Sequence, residues 1–82
     1  MSYKPKNFCD AVSERIWKII EETEWKPYFI EKRSGLQHGT FMNILHAKYN
    51  DITLSSVAKI AKGCNMSLLQ FLNDEVFEFN KK

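Results

Sequence analysis

Four polar side chains fall within seven residues of this chain, Gln37, His38, Thr40 and Asn43. Carboxamides, an imidazole and a hydroxyl donate and accept hydrogen bonds, which suits them to recognition. Covalent chemistry needs more. The sequence has no paired-carboxylate constellation, Ser-His or Cys-His motif, phosphate loop or metal-ligand spacing, so neither an enzyme nor a cofactor is expected. His38 and His46 are eight residues apart, roughly 80° around a helix axis, which favours two solvated histidines over a shared metal ion. Cys9 and Cys64 stand in helical segments without a CxxC spacing. They read as buried free thiols in a reducing cytoplasm, with a disulfide as the alternative.

The elements that must hold these residues follow a helical period. Asn7 is a good N-cap, with Asp10 at the third helical position. Phe8, Val12, Ile16, Ile19 and Ile20 then recur at three- and four-residue spacing, giving a first helix to about Glu24. Arg15, Lys18, Glu21 and Glu22 fill its other face. Pro27 suits the first turn of a second helix, which carries Tyr28, Phe29 and Ile30 and stops at Ser34-Gly35. Trp17, Trp25, Tyr28 and Phe29 read as packing aromatics. A third helix spans about 37–46, with Phe41, Ile44 and Leu45 inward. Lys48 to Asp51 is polar and turn-like. Thr53 caps a fourth helix that buries Leu54, Val57, Ile60 and Ala61 and ends near Gly63, and Ser67 caps a short fifth holding Leu68, Leu69, Phe71 and Leu72. Val76 to Phe79 alternates as a strand or extended arm would, and its aromatics either cover the domain's own core or pair with a second subunit.

Composition agrees with one small globular domain. The 82 residues are 44% hydrophobic and 13% aromatic, with three glycines and two prolines. No apolar run is long enough to span a membrane, and MSYKPKN lacks the features of a secretory signal, so a cytoplasmic protein is expected. Net charge is only +2, but Trp25 to Asn50 holds Lys26, Lys32, Arg33 and Lys48 against Glu31, a local +3. That bias permits contact with phosphates.

Between the second and third helices lie only Ser34, Gly35 and Leu36. So short a turn, centred on glycine, makes the helices cross steeply, and Ile30, Leu36, Phe41 and Ile44 form one apolar seam along both. The outer face of the third helix, with His38, Gly39, Thr40 and Asn43, is left polar and projecting, a shape that the major groove of B-DNA admits.

The run WKPYFIEKRSGLQHGTFMNILHAKYNDITLSSVAKIAKGCNMSLLQFL resembles the lambda-repressor-like, or Cro/XRE-type, helix-turn-helix DNA-binding regulators, and the likeness extends over about residues 10–74. It rests on Tyr28 and Ile30, the turn Lys32-Arg33-Ser34-Gly35-Leu36, and Thr40, Asn43, Ile44 and Leu45, followed in register by the fourth and fifth helices. The resemblance implies an all-α, compact five-helix domain: an N-terminal segment at 1–7, flexible, the domain at 8–73 with its helix-turn-helix at about 26–47, and a C-terminal arm at 74–82. It further implies a bacterial or phage transcription regulator, a repressor or a self-repressing antitoxin, whose partner is double-stranded DNA. Gln37, His38 and Asn43 match base-reading positions, Asn43 through bidentate pairing with adenine. Lys26, Thr40, Lys48 and Asn50 match backbone contacts. A homodimer, with Val76, Phe77 and Phe79 of the arm at its contact, would set two reading helices about 34 Å apart. A protein-interaction module on the same scaffold is the alternative.

There are three departures from the family pattern. Lys26-Pro27 replaces the usual Thr-Gln phosphate grip, because proline offers no N–H. Glu31 stands where alanine is usual and must turn outward or find Lys or Arg. Gly39 brings no side chain to a reading position.

Overall fold

The first helix, α1 (Phe8–Thr23), begins where Asn7 Oδ1 accepts the Asp10 amide at 2.9 Å. It ends where Glu24 turns left-handed (φ 62°) and donates its N–H to Ile20. In this computed structural model, residues 7–78 are described. They form α1, α2 (Pro27–Ser34), α3 (His38–Leu45), α4 (Leu54–Gly63), α5 (Leu68–Leu72) and a 3-10 turn, Glu75–Glu78. The domain is all-α, with no strand among the described residues. Thr53 caps α4, and Ser67 caps α5 in a reciprocal box with Gln70.

One cluster forms the core: Val12, Ile16 and Ile19 of α1, Ile30 of α2, Phe41, Ile44 and Leu45 of α3, Val57, Ile60 and Ala61 of α4, then Cys64 and Phe71. Leu36 packs against it from the turn, completing the seam expected along α2 and α3. Leu54 departs from expectation. It is 59% exposed at the first position of α4, while Val57 and Ile60 enter the cluster. Tyr28, Phe29, Trp17 and Leu69 are exposed as well.

Helix α2 lies directly on α4, and the contact is set by a missing side chain. A Cβ at Gly63 would come within 2.5 Å of the Ile30 carbonyl oxygen and 3.1 Å of Ser34 Cβ. Gly63 therefore permits backbone approach as well as ending its helix. Gly39, by contrast, has nothing within 4 Å of its Cβ position.

Arg15 overturns a sequence expectation. Placed by periodicity on the solvent face of α1, it is buried. Its Nε donates to Phe71 O at 2.8 Å and its Nη2 to Gln70 O at 3.1 Å, so it satisfies carbonyls at the end of α5. Its Nη1 lies 3.4 Å from Asp74, whose carboxylate also accepts from Lys18 Nζ at 3.0 Å and the Val76 amide at 3.0 Å. Burial opposes the charge on Asp74, but the Val76 amide, Lys18 and Arg15 outweigh it and hold the carboxyl below its ordinary value of 3.8.

Asp74 also explains a third departure. The alternation at Val76–Phe79 suggests extended chain, yet Phe77 N–H donates to Asp74 O at 3.1 Å and closes a 3-10 turn instead. Phe77 folds back, its ring 5.8 Å from that of Phe8 and 5.9 Å from that of Phe71. Val76 is half-buried, and Phe79 lies outside the described residues.

Three substitutions test these contacts. Gly63→Ala should destabilise the fold by about 1–3 kcal/mol through overpacking, whereas Gly39→Ala should stabilise it by about 0.5–1 kcal/mol through helix propensity. Urea midpoints at constant slope measure both, and a gain for Gly63→Ala would disprove the close approach. Because the folded pKa of Asp74 is depressed, its stabilisation is complete above the unfolded value of about 3.9 and is lost as pH falls through the folded value. Urea midpoints measured below pH 4 should therefore fall less steeply in Asp74→Asn than in the parent.

Candidate nucleic-acid interface

The turn that launches α3 is built from within. Gly35 adopts φ 80°, a left-handed conformation that costs glycine little. The buried Ser34 hydroxyl donates to Glu31 O at 2.7 Å and accepts the Leu36 amide at 3.1 Å, so it satisfies two backbone groups of the bend. The far end of α3 is gripped by α1, where Ser13 Oγ and Trp17 Nε1 both donate to Leu45 O, at 2.6 and 3.1 Å. Trp17 is 41% exposed and works chiefly through this polar edge. With both ends tied, α3 has one setting on the domain.

Gln37, His38 and Gly39 are exposed at the start of α3, while Thr40 and Asn43 are half-buried along it. No side chain of Gln37 caps the helix, which leaves that carboxamide uncommitted there. After α3, Ala47 turns left-handed (φ 56°) and the Lys48 amide donates back to Asn43 O at 2.8 Å. This reversal brings Tyr49 onto the helix, where its hydroxyl accepts from Asn43 Nδ2 at 3.3 Å. Lys48 and Asn50 are exposed on the same loop. The structure thus groups Gln37, His38, Thr40, Asn43 and Lys48 on α3 and its immediate continuation. Lys26 belongs to another surface, beside Tyr28, Phe29, Lys32 and Arg33 of α2.

Glu31 has found a partner across the turn. Its carboxylate oxygens lie 3.0 and 3.2 Å from His38 Nδ1, and its side chain is 13% exposed against 73% for His38. A carboxylate can only accept, so Nδ1 carries the proton. His38 then presents Nε2 outward, as an acceptor when neutral and a donor when protonated. Glu31 therefore orients the His38 ring.

Sequence reasoning missed Tyr49, hidden in a stretch that reads as polar turn, and the grip of Ser13 and Trp17 on α3. The seven-residue separation of Glu31 and His38 gives no periodic signal, because a turn intervenes. An acid expected to need a partner was the one available clue.

Among the described residues no group of three or more His, Cys, Asp and Glu could hold a metal ion. Cys9 and Cys64 are buried and free. Burial raises both thiols, Cys64 to about 11 against the opposing charge of Arg15, so neither supplies much thiolate at neutral pH. No helix among the described residues is long and apolar enough to cross a membrane. No protein-family model, curated protein or solved structure matches the chain.

Proposed function

We propose that this chain is a sequence-specific DNA-binding transcriptional regulator of the lambda-repressor-like kind, a repressor, whose α3 reads the major groove. One observation carries the reading. Among the described residues, the five large apolar side chains that are exposed are Trp17, Tyr28, Phe29, Leu54 and Leu69; none lies on α3, whose outer side offers Gln37, His38 and Asn43 instead. Met42, the apolar residue of α3 best placed to interrupt that side, packs against the core.

The chemistry of each group suits the role. Asn43 gives Tyr49 one Nδ2 hydrogen, which leaves the other and Oδ1 for adenine N7 and N6. Its amide plane is thereby set before DNA arrives, so less side-chain freedom is lost on binding. His38, steered by Glu31, offers Nε2 to a base edge. Lys48 and Asn50, exposed on the loop that follows, supply sequence-independent contact with phosphates, aided by Thr40. Gly39 contributes no side chain and lets the backbone of α3 come near the groove floor. Two copies would read half-sites one helical turn apart.

A second reading, a protein-interaction module on the same scaffold, is favoured by a different observation, the exposed Tyr28 and Phe29 on α2.

Selection from a random duplex DNA pool tests the first reading. Enrichment of a defined site is expected. On that site Asn43→Ala should lose about 1–3 kcal/mol of base discrimination, while Lys48→Ala should weaken all sequences alike and reduce the salt slope by about 1. A pool that shows no enrichment at low salt would contradict the regulator reading.

A further inference from the structure

The outer side of α2 carries a surface that the reading by α3 does not use. Tyr28 is 63% and Phe29 43% exposed, and with Lys26, Lys32 and Arg33 they line an open groove of about 460 Å³. Trp25 braces it from below, its ring 5.2 Å from that of Phe29. The cations are arranged around the aromatics. Lys32 Nζ stands 5.8 Å from the Tyr28 ring centre, and the Arg33 guanidinium 5.4 Å from that of Phe29. No acid lines the groove. The one acid of α2, Glu31, is committed to His38.

From this arrangement we propose that the α2 groove is a docking site for an acidic peptide segment of a partner protein, one bearing a large apolar side chain between carboxylates. Charge complementarity decides the occupant. Three cations with no acid among them attract a negative segment and fix its register. The two exposed rings form the floor, which only an apolar group fills with a gain in free energy. Two polyanions fit less well. A duplex backbone presents phosphates and sugars but no large apolar group for the floor. Single-stranded nucleic acid stacks its bases on ring faces, and here Lys32 and Arg33 already cover one face of each ring. A peptide needs only the edges and the trough between them. The site does not depend on whether α3 reads DNA.

A display library of short random peptides, panned against the intact protein, tests the proposal. Enriched peptides should carry net negative charge together with an aromatic or long aliphatic residue. Tyr28→Ser, and separately Lys32→Gln with Arg33→Gln, should each weaken the best of them by about tenfold or more, and added salt should weaken binding to the parent. Because all three residues are exposed, circular dichroism should show the variants folded. Amide shifts in the labelled protein should centre on residues 26–33. The proposal is overturned if no peptide enriches, if enriched peptides are neutral or basic, or if the variants bind them as the parent does. It is equally overturned if oligothymidylate shifts the α2 amides and the peptides do not.

Discussion

The reach of Ile30 O toward Gly63 governs where everything else can stand. Helix α2 has eight residues, too few to persist alone in water, and its outer side is polar or aromatic and solvated. It is held by Ile30 in the core and by backbone lying against backbone at a position with no Cβ. Any larger residue at 63 would lift α2, and the turn at Ser34–Leu36 would carry the shift into α3. Helix α3 is thus located by a glycine on a helix that it does not itself follow. Ser13 and Trp17 then fix its other end from α1.

The C-terminal half is secured by charge. Helix α5 has only five residues, and Arg15 donates to two of its carbonyls, Phe71 O and Gln70 O, the second shared with the Asn73 amide. A buried guanidinium needs a counter-charge, and Asp74 supplies it while also starting the turn that returns Phe77 to Phe8 and Phe71. One residue of α1 therefore couples α5, the Asp74 turn and the aromatic cover. The two tethers divide the work, packing at α2 and α3, hydrogen-bonded charge at α5.

Local signals were legible in the sequence and long-range ones were not. Asn7, Thr53 and Ser67 as caps, Pro27 at the first turn of α2 and Gly35 at its end depend on a few neighbouring residues, and each takes its expected place. Arg15 misleads because periodicity assigns a charged residue to solvent, while its partners lie at Gln70, Phe71 and Asp74, in a distant part of the chain. Gly63 reads as a helix end because its second duty involves the backbone of α2. The alternation after Asp74 is too short to distinguish a strand from a 3-10 turn. In the candidate site, the exposure of Gln37 and His38 was foreseeable from the polar side of α3. The orienting partners Glu31 and Tyr49 were not, since both act across turns.

These features give the domain two differently equipped surfaces: a polar one on α3, with His38 and Asn43 already oriented, and a cationic, aromatic one on α2. Assigning DNA to the first is the central claim. Its most direct test is an amide-shift titration of the labelled protein with a duplex selected for binding. The account predicts the largest changes at residues 37–43 and 48–50, including the Asn43 side-chain amide. Changes confined to residues 26–33, or none at all at low salt, would contradict it.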